Sequence, residues 1–242
     1  MTEIALVTGG TRGIGAAIAV GLKADGWEVA SIYHGNEKAA EQFSQKTGIS
    51  VFRWDVADEG ACREGVAAVD AKLGPISVLV NNAGITRDGM FHRMSWAQWR
   101  EVLATNLDSM FAMTRAVIEG MRERGFGRII NISSINGQKG QIGQVNYSAA
   151  KAGVIGFTKA LAQENAACGI TVNAVCPGYV DTEMVAAVRE EVRAAIIAGI
   201  PVGRLGAPQE VADAVSYLAS PRAGFCTGSV LTLNGGQYIA NG

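Results

Sequence analysis

IALVTGGTRGIGAAIAVGLKADG, residues 4–26, decides how the rest of the chain is read. IALVT is short and β-rich, TGGTRGIG is a glycine loop, and the stretch from Arg12 onward carries helical periodicity. A loop of this kind, leaving a strand and entering a helix, lets backbone N–H groups and a helix N-terminus meet a pyrophosphate. Gly9, Gly13 and Gly15 are the positions that allow the tight turn and the close approach. The spacing is G-x-x-x-G-x-G rather than the commoner G-x-G-x-x-G, so the loop alone also fits a glycine turn with no ligand. Its position at the head of a βαβ unit favours a dinucleotide.

Six further β-rich runs follow: EVASIY, SVFRW, SVLVNN, GRIINIS, ITVNAV and SVLTLN. Longer helical stretches separate them, including WAQWREVLATNLDSMFAMTRAVIEGMRERG. This alternation predicts an α/β fold: a Rossmann-type doubly wound sheet of seven mainly parallel strands with helices on both faces. No linker, repeat or low-complexity tract interrupts it, so residues 1–242 are expected to form one domain. Four motifs fall where strands end: TGGTRGIG, NNAG, NISS and CPGYVDTE. Ligands bind at the carboxyl ends of strands in such sheets, so the shared position carries more than any one motif.

Composition narrows the function classes. The chain is 48% hydrophobic and 18% charged, the profile of a globular protein. A net charge of −1 gives no drive toward nucleic acid or anionic lipid. No run of about 18 apolar residues suggests a membrane span. MTEIALVTGG has no basic region and enters a strand at once, so no signal peptide is expected and the location is read as cytoplasmic. Cys62, Cys168, Cys176 and Cys226 form no CxxC pair, and His34 and His92 lack zinc spacing. The cysteines are read as reduced, and no metal is expected.

The cofactor reading turns on two places. An NAD site usually has an acid at the end of the second strand, but Ser31, Ile32, Tyr33 and His34 stand there. Arg12, in the loop, can pair with a 2′-phosphate. Both favour NADP, supplied as NADPH. Asp55, after the third strand, fits either an adenine contact or a cap for the helix beginning near Asp58, and the two roles are compatible.

NYSAAKAG, residues 146–153, holds Tyr147 and Lys151 one turn apart on one helix face. A phenol of pKa about 10 is a poor acid–base group at neutral pH, and a nearby ammonium together with the positive nicotinamide of an oxidised cofactor is expected to lower it. Ser134, 13 residues upstream at the end of the fifth strand, could hold a substrate carbonyl toward Tyr147, with Ser133 competing for the role.

TGxxxGxG, NNAG at 81–84, Asn106, Ser134, YxxxK at 147–151 and PG at 177–178 together resemble the short-chain dehydrogenase/reductase family, over essentially the whole chain. The resemblance implies a tetrad: Tyr147 as proton donor, Lys151 on the cofactor ribose, Ser134 orienting the carbonyl and Asn106 holding a relay water. It also implies that Asn82, Ala83 and Gly84 line the cofactor site, that Thr182 meets the nicotinamide carboxamide, and that the chain assembles as a homotetramer. The expected cofactor set further includes Thr11, Ile14, Tyr33, Val56, Pro177, Gly178 and Val180.

Within that family, ITRDGMF, NISSINGQKGQIGQVNYSAAKAG and CPGYVDTEM resemble the acetoacetyl-CoA reductases. That implies NADPH-dependent reduction of an acyl-CoA substrate to the (R)-3-hydroxy product, for polyhydroxybutyrate synthesis. The loop between Ser134 and Tyr147 must border the substrate, and it carries Gln138, Gln141 and Gln144. These amides either face solvent or bind the thioester and keto oxygens; the resemblance selects Gln141 and Gln144, with Tyr179, and Asp88 joins the expected substrate set. The alternative substrate is a 3-oxoacyl group on a carrier protein, for which Arg122, Arg124 and Arg128 are candidate docking cations. Arg87, Arg93 and Lys139 are candidates for CoA phosphates. A non-catalytic nucleotide-binding regulator would require a broken tetrad. Residues 180–203 are expected to form a substrate lid.

Overall fold

The computed structural model describes residues 3–186 and 188–239. Its strands are β1 (Ile4–Thr8), β2 (Glu28–Tyr33), β3 (Ser50–Arg53), β4 (Ile76–Asn81), β5 (Gly127–Ile132), β6 (Ile170–Pro177) and β7 (Val230–Leu233). Its helices are α1 (Gly13–Ala24), α2 (Glu37–Thr47), α3 (Glu59–Leu73), α4 (Trp96–Leu103), α5 (Ser109–Arg124), α6 (Ile135–Lys139), α7 (Val145–Asn165), α8 (Glu183–Ala186), α9 (Glu190–Ala198) and α10 (Pro208–Ala219). The sheet order is β3-β2-β1-β4-β5-β6-β7, and every pairing is parallel. The expectation of a mainly parallel sheet is therefore exceeded. The order reverses between β1 and β4, which opens a crevice at their carboxyl ends.

Burial explains why the strands read as apolar runs. Every residue of β1, β4, β5 and β6 is buried, as a sheet covered on both faces requires. Side chains alternate between the two faces. Leu6, Leu79, Ile129 and Val172 join Val66, Met113, Val117 and Met121 of α3 and α5 in one core. Val7, Val80, Ile130 and Val175 join Ile18, Leu22, Val211 and Val215 of α1 and α10 in the other.

Helix starts follow side-chain caps. Asn36, Asp58 and Ser95 accept from backbone N–H groups at the heads of α2, α3 and α4. α1 differs: Arg12 precedes it in extended conformation, without a side-chain cap and with no acid in the first turn. The single helix expected over residues 96–125 is instead α4 and α5, joined by a π-helical turn at Ala104–Asp108. Its cause is tertiary: Asn106 is fully buried, and its amide exchanges two hydrogen bonds of 2.8 Å with the backbone of Ile85. The expected lid carries α8 and α9, and Val180 bridges to Gly206; Ala187 within it lies outside the described residues, as do positions 1–2 and 240–242.

Candidate functional site

The loop after β1 is shaped around missing side chains. Gly9 and Gly13 have φ of +61° and +52°, the left-handed region where glycine is unstrained. A Cβ on Gly15 would lie 2.2 Å from the Gly9 carbonyl oxygen, so the helix can start there only with glycine. Gly10, which sequence reading passed over, is equally constrained: a Cβ there would sit 2.6 Å from Ser31 Oγ. The signal was available in the TGG doublet. Thr11 is half-buried, Arg12 is exposed, and Ile14 packs its side chain on the core, which leaves its backbone for a ligand.

The loop after β4 is stitched to this one. Thr8 Oγ1 accepts from the N–H groups of Asn82 and Ala83, both at 2.9 Å. Asn82 Nδ2 returns to the carbonyls of Thr8 at 2.9 Å and Gly9 at 3.2 Å. Asn82 is thereby a loop-to-loop tether. Gly84 lies where a Cβ would stand 3.2 Å from Asn106 Oδ1 and 3.6 Å from Lys151 Nζ. Tyr33 ends β2, and Asp55 and Val56 follow β3. Asp55 Oδ1 accepts from Ala57 N–H at 2.9 Å, while Asp58 caps α3, so the capping alternative for Asp55 is replaced by a local turn. Val56 is core. Pro177 and Gly178 close β6, and Thr182 reaches across toward Gly13, 3.8 Å from where its Cβ would be.

Tyr147, Lys151 and Ser134 meet at the ends of β5 and β6. Lys151 Nζ donates to the Ile132 carbonyl at 2.8 Å and lies 5.6 Å from the Tyr147 ring centroid. Lys151 is only 3% exposed, and burial pulls its ammonium down to about 8. Burial likewise pushes the Tyr147 phenol up to about 12; a hydrogen bond with the Ser134 hydroxyl opposes this, and the Asp88 charge adds to it. The lowering expected from the lysine together with an oxidised nicotinamide concerns the cofactor-bound site; in the ligand-free protein burial dominates. The phenol stays protonated at neutral pH, the state that a proton donor needs.

The two competing serines differ in burial and partners. Ser133 is 3% exposed and its hydroxyl donates to the Lys151 carbonyl at 2.8 Å. Ser134 is half-buried, accepts from Asn136 N–H at 3.1 Å and interacts with Tyr147. Cys176 lies under the same site, its thiol pushed up by burial.

The glutamines take a third course. Gln138 bonds Thr232 at 3.0 Å, and Gln141 accepts from Lys139 at 3.1 Å. Gln144 accepts from Asn136 and donates to Asp88, both at 2.9 Å. Both ends of the Gln138 and Gln144 amides find partners within the protein, and of Gln141 the oxygen does. Tyr179 is half-buried; burial, then the Asp88 charge, raises its phenol, so Asp88 faces both tyrosines.

The cations expected at the mouth are elsewhere. Arg122 and Arg124 end α5 and Arg128 lies at the start of β5, at the amino ends of the strands and away from the crevice. Arg122 bonds Asn165, Arg124 bonds the Ile76 carbonyl, and Arg128 is 5% exposed against Phe126. Arg87 is held by Glu101 through two hydrogen bonds. Arg93 is exposed. Among the described residues no group of three or more His, Cys, Asp or Glu could hold a metal, and no helix is long and apolar enough to cross a membrane.

Comparison with known proteins agrees with this geometry. A family model described as Enoyl-(Acyl carrier protein) reductase matches residues 9–237. An acetoacetyl-CoA reductase of Rhizobium meliloti is 64% identical over 241 residues, covering 99% of this chain and 100% of the relative. One of Paracoccus denitrificans is 60% identical with the same coverage. A 3-oxoacyl-(acyl-carrier-protein) reductase of Vibrio harveyi is 44% identical over 98% of each chain.

Proposed function

The chain belongs to the short-chain dehydrogenase/reductase family, and from that premise we propose that it reduces acetoacetyl-CoA to (R)-3-hydroxybutyryl-CoA with NADPH. The observation that carries the reading is the convergence of Ser134, Tyr147 and the buried Lys151 beside a glycine cradle at the sheet's switch point. Identity to several acetoacetyl-CoA reductases at 60–64% supports the thioester over the carrier-protein substrate. So does the location of Arg122, Arg124 and Arg128 at the far pole.

A nicotinamide dinucleotide fits the residues present. The uncapped start of α1 and the left-handed Gly9 and Gly13 suit its pyrophosphate. Gly10, Thr11, Gly15, Asn82, Ala83 and Gly84 line the same crevice. Arg12, exposed and with no acid at the end of β2, supports NADPH over NADH. Tyr33, Asp55 and Val56 would flank the adenosine, and Pro177, Gly178, Val180 and Thr182 the nicotinamide. When bound, the reduced nicotinamide supplies the hydride.

The chain's own residues supply the rest. Ser134 Oγ donates to the substrate keto oxygen and Tyr147 Oη holds the proton that the oxygen will take. Lys151, anchored on Ile132, has further N–H donors for the cofactor ribose. The Asn106 amide is occupied by Ile85, so a relay water would be held by its main chain in the π turn. Asp88, Gln141, Gln144 and Tyr179 form the substrate wall. Exposed Phe111 on α5, and Phe225 and Leu231 near and on β7, support assembly as a homotetramer. The enzyme acts in the cytoplasm and feeds polyhydroxybutyrate synthesis.

The discriminating assay compares NADPH oxidation with acetoacetyl-CoA and with the same acyl group on carrier protein. A higher kcat/KM for the CoA ester is expected. Preference for the carrier protein would overturn the substrate.

A further inference from the structure

Residues 87–89 are tied to residues 143–146 in antiparallel order. Asn146 Nδ2 donates to the Arg87 carbonyl at 3.1 Å, Gln144 Nε2 to Asp88 Oδ2 at 2.9 Å, and Gly89 N–H to the Gly143 carbonyl at 2.8 Å. The middle tie continues inward. Gln144 Oε1 accepts from Asn136 Nδ2 at 2.9 Å, and the Asn136 backbone N–H donates to Ser134 Oγ at 3.1 Å. An unbroken path therefore runs from a loop carboxylate to the serine beside Tyr147.

The direction of that path is forced. An ionised carboxylate only accepts, so Gln144 must turn Nε2 toward Asp88 and Oε1 toward Asn136. Asn136 must then answer with Nδ2. Its own Oδ1 is left buried with no partner, in a residue only 9% exposed. Orphaned buried acceptors are uncommon, and this one follows from the orientation that Asp88 imposes. At the inner end, Asn136 N–H occupies one lone pair of Ser134 Oγ, which restricts where the hydroxyl proton can point.

We propose that Gln144 and Asn136 are positioning residues, which use the Asp88 carboxylate as a fixed anchor to set the Ser134 hydroxyl against Tyr147. This rests on the ketoreductase reading above. It gives Gln144 a role through Ser134 in addition to its place in the substrate wall.

The test exploits the polarity. Gln144→Glu keeps the acceptor for Asn136 but sets a second carboxylate against Asp88. Adding Asp88→Asn restores a donor at the outer end. The new amide at position 88 donates to the new carboxylate at position 144, which still accepts from Asn136, and the net charge matches wild type. Assays run at about pH 8. They use acetoacetyl-CoA and also ethyl acetoacetate, whose ketone reports the Ser134–Tyr147 geometry whichever thioester is preferred. Q144E is expected to lose about a hundredfold in kcat, the scale of a misplaced reacting group, beyond whatever rise in KM its place in the substrate wall brings. Q144E/D88N is expected to recover at least about tenfold of that loss, since coupled neighbours are non-additive. A loss confined to KM, or no recovery in the pair, overturns the relay. Should Q144E alone fail to fold, the pair is compared with D88N: similar kcat supports the relay, and a pair about tenfold slower overturns it. A wild type that reduces ethyl acetoacetate but not acetoacetyl-CoA would remove the proposed substrate and leave the relay's test intact.

Discussion

Replacing Lys151 with Met should change how the stability of the ligand-free protein depends on pH. Lys151 is 3% exposed, with one hydrogen bond to Ile132 among the described residues. Burial holds its ammonium near 8 against an ordinary 10.5. Between those values the unfolded chain binds the proton and the folded one releases it, so stability rises with pH across that window. Below it, both states are charged and the folded state bears the whole desolvation cost. At about 1.36 kcal/mol per pH unit, the window from about 8 to 10.5 corresponds to about 3 kcal/mol, gained progressively as pH rises. Met keeps an unbranched side chain one atom shorter and abolishes the titration. It leaves the Ile132 carbonyl without its donor, at about 1–3 kcal/mol, but that cost is the same at every pH. Urea unfolding from pH 7 to 10.5 for both proteins reads the difference, with Cys176, whose thiol the Lys151 charge lowers, replaced by Ala in both. The wild-type curve should climb relative to K151M by about 3 kcal/mol. Parallel curves would refute the buried, cleft-facing cation on which the site is built.

The two serines should separate cleanly. Ser134→Ala is expected to lower kcat by about 10²-fold or more, as loss of a carbonyl donor does. Ser133→Ala, which removes a hydroxyl bonded to the Lys151 carbonyl, should instead cost about 1 kcal/mol in denaturant unfolding. The opposite pattern would assign the carbonyl to Ser133. Arg12→Ala should raise KM for NADPH by about tenfold or more and leave KM for NADH nearly unchanged, since only the former has a 2′-phosphate to lose. Equal effects on both would remove that contact.

The central strands were plain in the sequence because strands buried on both faces of a covered parallel sheet read as largely apolar runs. All seven runs, from IALVT to SVLTLN, contain an observed strand, with ends displaced by a residue or so. The glycine loop was legible for a similar reason: Gly9, Gly13 and Gly15 are demanded by backbone geometry and local crowding, which one sequence can announce. The π turn at Asn106 was not legible. It depends on a hydrogen-bond exchange with Ile85, 21 residues away in chain and adjacent only after β4 and α4 are packed. The protein partners of the glutamines, Asp88 for Gln144 and Thr232 for Gln138, were not legible because they are set by tertiary contact. The arginines of 122–128 were placed at the cleft because charge is visible in a sequence and the pole of a sheet is not. In the ligand-free protein burial raises the Tyr147 phenol, and depth of burial is not legible in a sequence; the expected lowering belongs to the site with an oxidised cofactor bound.

The site is also costly to the fold. A buried ammonium, a phenol denied its charged form and an orphaned Asn136 oxygen lie within one cleft. Local conflicts of this kind are expected where function overrides packing.

The central claim is that Tyr147 gives the proton in reduction of acetoacetyl-CoA by NADPH. It is tested most directly by Tyr147→Phe, which keeps the ring and removes one oxygen. Initial rates of NADPH oxidation are measured with acetoacetyl-CoA, alongside cofactor affinity by fluorescence titration. A fall in kcat/KM of about 10²–10⁴-fold, with cofactor affinity nearly unchanged, is predicted. Reduction by the Phe variant at close to the wild-type rate would contradict it.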